Sequence, residues 1–191
     1  GLVNDTSPSR YVVVVTHATR DDAFDAAAEF ISEMAGRGIG CAVPDDQVEP
    51  MSAKLPQIGL EGLEDFTHEA EVVVVFGGDG TLLRAAEWSL PRHVPMIGVN
   101  LGHVGFLAEL ERSDMADLVN KVCSRDYTVE DRLVLKITVT EHSGQQRWGS
   151  FAVNELSLEK AARRRMLDVL ASVDELPVQR WSCDGILVST P

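Results

Sequence analysis

The chain has 191 residues, of which 45% are hydrophobic and 25% charged; this balance excludes disordered and collagen-like chains. Its 17 Lys and Arg against 30 Asp and Glu give a formal charge of −13, which argues against nucleic acid as a partner, since its binders carry a basic surface. Residues 1–70 hold 13 acids and 4 bases and residues 71–191 hold 17 and 13, so the second stretch is the better host for an anionic ligand.

Gly1 to Arg10 is polar and reads as a loose arm. Tyr11–Thr16 is a β-branched run of the kind buried in a parallel sheet. Asp21 and Asp22 open a helix with Phe24, Ala27, Ala28, Ile31 and Ala35 on one face, closed by Gly36 and Gly38. Ile39–Val43 is a second strand. The stretch from Pro44 to Phe66, rich in Pro, Gly and acids, reads as a long loop with at most one helical turn near Leu60–Phe66. Glu71–Phe76 is a third strand, Thr81–Leu90 a helix stopped by Pro91, and Pro95–Val99 a fourth strand. Ser113 is placed to cap a helix running to Val122.

After Tyr127 the period changes to two: Leu133, Leu135, Ile137 and Val139 alternate with Val134, Lys136, Thr138 and Thr140. His142–Gln145 is a turn, and Arg147–Leu158, Met166–Val173 and Ile186–Val188 continue the strands. The expected organisation is an arm (1–10), a Rossmann-like α/β domain (11–125) and the beginning of an antiparallel β-sandwich domain (126–191). Cys41, Cys123 and Cys183 are odd in number and far apart, which suggests neither zinc nor a disulfide framework and points to a reduced, cytoplasmic protein. The longest apolar runs, Val12–Val15 and Val72–Phe76, are too short to cross a bilayer, so no membrane partner is expected.

The most informative stretch is Val75-Phe76-Gly77-Gly78-Asp79-Gly80-Thr81, a hydrophobic strand running through three glycines and one carboxylate into a helix. Glycines there permit unusual backbone angles and close approach of a ligand, and a helix N-terminus suits phosphate. The spacing is neither the P-loop GxxxxGK(S/T) nor the dinucleotide GxGxxG. An Asp inside a phosphate-friendly turn would repel its ligand unless it has another task, such as taking a proton from a hydroxyl nucleophile. The structural alternative is a tight strand–helix turn with Asp79 as N-cap.

Gly77–Thr81 resembles the GGDGT motif of the superfamily that includes NAD kinases, diacylglycerol and sphingosine kinases, and phosphofructokinases. Asn100–Phe106 resembles the NxGxxGF segment of NAD kinases, Asn154–Leu158 their NExxL motif, and Asp184–Pro191 the opening of their DGxxxSTPTGSTAY segment. In that order the four motifs identify the chain as similar to bacterial NAD kinases from Tyr11 onward.

The resemblance implies transfer of the γ-phosphoryl of ATP, or of polyphosphate, to the 2′-hydroxyl of the adenosine ribose of NAD, with Mg²⁺ on the donor phosphates and no metal site of the protein's own. It implies Asp79 as general base, Gly80 against the ligand, Asn154 and Glu155 on NAD, and Arg84 and Arg165 as cationic contacts, with Arg163 and Arg164 solvated. Phe106 and Leu107 match positions that pack on the dinucleotide. Asp184 matches an aspartate given to a neighbouring subunit, implying a homo-oligomer, a dimer or tetramer. His17, Thr19 and Arg20, after the first strand, could meet the donor nucleotide.

The family pattern is not matched throughout. Pro191 falls before the TGSTAY residues, and Ser182 stands where some members carry a basic side chain. The sequence therefore reads as truncated within its β domain, with little or no turnover expected of this chain alone. Two other functions compete: a diacylglycerol-type lipid kinase, disfavoured by the absence of a basic amphipathic helix, and a nucleotide-binding module without turnover.

Overall fold

The four consecutive valines of β1 (Arg10–Thr16) are all buried, because that strand lies at the centre of a parallel sheet covered on both faces. Val12 and Val14 pack among α1 (Asp21–Gly36), Met51 and the helix Arg112–Ser124, whereas Val13 and Val15 pack on the opposite face with Ala85, Leu82 and Trp88. A strand buried on both sides reads as a continuous apolar run, which is why this one is legible.

A computed structural model describes residues 7–99, 112–129, 134–152, 155–159, 161 and 166–189. It divides into two units, Gly1–Glu130 and Asp131–Pro191. In the first, β1 and α1 lead into β2 (Ile39–Val43), α2 (Asp45–Lys54), β3 (Glu61–Gly62), β4 (Val73–Phe76), α3 (Asp79–Ser89), a 3₁₀ turn (Leu90–Arg92), β5 (Met96–Val99) and α4 (Arg112–Ser124). The strand order is β3-β2-β1-β4-β5, with every pairing parallel. The chain thus moves outward from β1 in one direction, then crosses back to place β4 on the other side. That reversal between β1 and β4 is the topological switch point of a Rossmann-like sheet, outside whose carboxyl ends ligands bind.

Several local expectations are corrected. β1 takes in Arg10, which the sequence assigns to the arm. Of the residues expected on the α1 core face, Ala27, Ala28 and Ile31 are buried and Phe24 packs partly buried beside them, but Ala35 is exposed, and Ala23, Ala26, Phe30 and Met34 complete the buried face. α4 is Arg112–Ser124, so Ser113 is a position within the helix rather than the residue before it. The largest departure is α2, which occupies the stretch read as a loop. Its apolar face is sparse, Val48 partly buried and Met51 fully buried, and it tolerates Pro50 in its interior. Its placement comes from the Gln47 side chain, which accepts a hydrogen bond from the Thr16 N–H (3.2 Å) and donates one to the Thr16 carbonyl (2.8 Å).

Among its described residues the second unit contains three antiparallel pairs. β6 (Leu135–Thr140) pairs with β7 (Gln146–Ala152), β8 (Glu155–Glu159) with β11 (Gly185–Ser189), and β9 (Leu167–Val173) with β10 (Leu176–Cys183). The period-two expectation for this region holds. Gly144 has φ of +85° in the β6–β7 turn, where glycine is favoured. The β9–β10 turn instead places Asp174 and Glu175 at φ of +49° and +67°. Among the described residues no helix is long and apolar enough to cross a membrane.

Candidate functional site

β4 ends at Phe76 and α3 begins at Asp79, so the chain reverses direction within Gly77 and Gly78. Of the three glycines in this turn, none has positive φ, contrary to the expectation of unusual backbone angles. Gly77 is required sterically: a Cβ there would collide with the buried Thr81 side chain. At Gly78 and Gly80 a Cβ would meet nothing within 4 Å. The fold itself therefore has no use for glycine at these two positions, whereas a ligand that approaches the main chain does.

The N-cap of α3 is Gly78, not Asp79, and Asp79 makes no capping hydrogen bond, which removes the capping alternative. Asp79 is exposed and, among the described residues, makes no hydrogen bond or ion pair. It stands in the first turn of α3, where backbone N–H groups have no intrahelical acceptor and the helix end favours negative charge.

Around it lies a cleft of about 350 Å³ lined by Thr16 at the end of β1, by His17, Ala18 and Arg20 after it, and by Gly78, Asp79, Gly80, Thr81 and Arg84 at the start of α3. It opens at the carboxyl ends of β1 and β4, on the switch point. The His17 N–H is bonded to the Phe76 carbonyl (2.8 Å), which ties the two loops together. Its Nδ1 accepts hydrogen bonds from the backbone N–H groups of Thr19 (3.1 Å) and Arg20 (3.2 Å), leaving the neutral ring's proton on Nε2.

Both arginines lining the cleft are paired to aspartates outside its lining. Arg20 holds Asp22 through Nε (3.1 Å) and Nη2 (2.7 Å), and the guanidinium draws the Asp22 carboxyl below its ordinary range. Arg84 reaches Asp46 in the first turn of α2. Asp79 is the single carboxylate among the described lining residues, and no group of three or more His, Cys, Asp or Glu among the described residues could hold a metal ion. Cys41 is buried in the core, its thiol pushed up to about 12 by burial, and cannot serve as a nucleophile.

The structure thus brings together Asp79, Gly80 and Arg84 with His17 and Arg20, while Thr19 lies outside the cleft lining and contacts His17 Nδ1 through its N–H (3.1 Å) and its hydroxyl (3.5 Å). Glu155 opens β8 with its backbone opposite Ser189, and Asp184 is the bend between β10 and β11; both belong to the second unit. Phe106, Leu107, Asn154 and Arg163–Arg165 lie outside the described residues, as does the Glu155 side chain. Asp46 and Gln47 were not singled out by the sequence, because they fall in the stretch that reads as a loop.

A family model described as the ATP-NAD kinase N-terminal domain matches residues 10–127. The chain is 93% identical over 191 residues to the NAD kinase of Cutibacterium acnes, covering all of this chain and 60% of that protein. It is 39% identical over 186 residues to the NAD kinase of Corynebacterium jeikeium, covering 95% of this chain and 56% of that protein. The chain therefore spans somewhat under two thirds of the length of these relatives. Yeast NADH kinase, solved in complex with NADH, shares the fold with a TM-score of 0.75 at 18% identity, over 96% of this chain and 58% of that one. With the N-terminal domain matched across most of the first unit and relatives alike over nearly the whole chain, the protein belongs to the NAD kinase family.

Proposed function

We propose that this protein phosphorylates the 2′-hydroxyl of the adenosine ribose of NAD to give NADP, with ATP, or polyphosphate, as donor. The observation that carries the reading is the exposed Asp79 carboxylate, without a partner among the described residues, beside two glycines that the fold does not require.

In the proposed reaction the ribose 2′-oxygen attacks the γ-phosphorus, a new O–P bond forms, and the bond from that phosphorus to the β,γ-bridging oxygen breaks to release ADP. Asp79 accepts the hydroxyl proton. Phosphoryl transfer asks the protein mainly to position the nucleophile and balance charge. The open backbone at Gly78 and Gly80 and the first-turn N–H groups of α3 suit the approach of a phosphate, and Arg84, held by a single contact to Asp46, supplies a cation. Mg²⁺ would neutralise the donor's phosphate charge, and a cleft with one carboxylate suits an ion held chiefly by phosphate and water. Asn154, Glu155, Phe106 and Arg165 would complete the NAD site, and Asp184 would serve a neighbouring copy in a cytoplasmic homo-oligomer.

The test is NADP formation from NAD and Mg-ATP by this sequence carried in a chain of its relatives' full length. Asp79→Asn should lower kcat by about 10²-fold or more with the fold unchanged by circular dichroism. Turnover within a few-fold of wild type would remove Asp79 as the base. Absence of NADP with phosphorylation of diacylglycerol would favour a lipid kinase instead.

A further inference from the structure

The two guanidinium groups that line the cleft are held in different ways. Arg20 grips Asp22 with two nitrogens, and Asp22 Oδ1 is itself fixed by the Ala23 N–H at 2.9 Å. Arg84 makes one contact, through Nη2, to an aspartate 38 residues earlier, and the Asp46 side chain is 62% exposed. A local bidentate clamp is hard to exchange, whereas an exposed single contact exchanges readily.

Asp46 is nonetheless not a stray surface acid. The next residue, Gln47, is buried and bonded at both ends of its amide to the Thr16 main chain, and Thr16 lines the cleft. The first turn of α2 is therefore pinned at the cleft's edge. We infer that Asp46 is an affinity-setting residue for the phosphate site: it occupies Arg84 at rest, and an entering polyanion must take Arg84 from it. With both arginines engaged, Asp79 is the one charge of the described lining without a partner, so an entering anion meets no free guanidinium until the Arg84–Asp46 pair opens. This rests on the phosphate-binding reading of the cleft.

Calorimetric titration of the full-length chain with inorganic tripolyphosphate at low ionic strength reads this directly. Asp46→Asn should bind tripolyphosphate about 2- to 5-fold more tightly than wild type, the range expected of an exposed ion pair, and the difference should shrink at roughly 0.5 M salt. Arg84→Gln should weaken binding, and adding Asp46→Asn to it should give no gain, because the competitor then has nothing to compete for. Asp45→Asn, which removes an equal charge from the same helix turn without touching Arg84, should reproduce little of the effect. Unchanged or weaker binding by Asp46→Asn, or an equal gain in the Arg84→Gln background, overturns the inference while leaving the site reading intact. No binding by wild type or any variant overturns both.

Discussion

Gly77, Gly78 and Gly80 stand within four residues of one another under different constraints, and substitution separates them. Gly77→Ala drives a methyl into the buried Thr81 side chain and should cost about 1–3 kcal/mol, the usual penalty of overpacking. Gly80→Ala meets open space in the first turn of a helix with ordinary backbone angles. It should leave stability unchanged or raise it by up to about 1 kcal/mol, yet lower NADP formation by roughly 10-fold or more, because the methyl enters the space proposed for the ligand. Urea unfolding beside steady-state kinetics checks the pair. A fully active Gly80→Ala would mean that the open backbone is not used. The same reasoning shows what a single residue conveys from sequence: GGDGT announces a site, but the reason for each glycine needs the neighbours, and here no glycine of the three serves a left-handed turn.

α2 shows how far an element can depend on contacts distant in sequence. Its helix carries Pro50 in the interior and few apolar residues, and Gln47 supplies what the apolar face does not. Gln47→Leu would leave the buried N–H and carbonyl of Thr16 without these hydrogen bonds and should destabilise the first unit by about 2 kcal/mol. Hydrogen exchange should show α2 amides losing protection before those of α1, and equal protection across both helices would show that Gln47 does not anchor α2. β1, β2, β4, β5 and α1 are legible because valine runs and a 3.6-residue period are local signals, as is the change to period two after Tyr127. α2 is not, since its decisive bonds join residues 31 apart. Leu176–Cys183 went unassigned because its turn, Asp174-Glu175, adopts positive φ without the glycine that usually marks one. Asp46 lies in the same helix as Gln47, so the cleft's catalytic candidate is legible in the sequence and the ionic partner of Arg84 is not.

The parallel sheet has its cleft at one end and an ionic tie at the other. Arg10, at the start of β1, meets Glu71 with two bonds of 2.7 Å and also donates to the Cys123 carbonyl (2.9 Å) and the Val122 carbonyl (3.3 Å) at the end of α4. Arg125 adds a third bond to Glu71 at 2.6 Å. Glu71 immediately precedes the buried run Val72–Phe76, so this carboxylate joins β1, β4 and α4 some 20 Å from the cleft, at about 3.3 Å per strand residue. The Arg10 hydrogen bonds lower its pKa from the usual 4.5 to about 2, with burial opposing and Arg125 reinforcing. A carboxylate whose folded pKa is depressed stabilises fully above its unfolded value and loses that contribution as pH falls through the folded one. The tie should therefore be intact above about pH 4.5 and be lost progressively towards pH 2, an effect on the order of 1–2 kcal/mol once screening is allowed for. Glu71→Gln should be less stable than wild type at pH 7 and converge with it near pH 2, read from protection of the β1 and β4 amides. A gap between the two proteins that stays constant across this range would show that the tie acts through packing rather than charge. Because the tie lies at the far end of β1, the affinity of the cleft for tripolyphosphate at pH 7 should be the same in Glu71→Gln as in wild type.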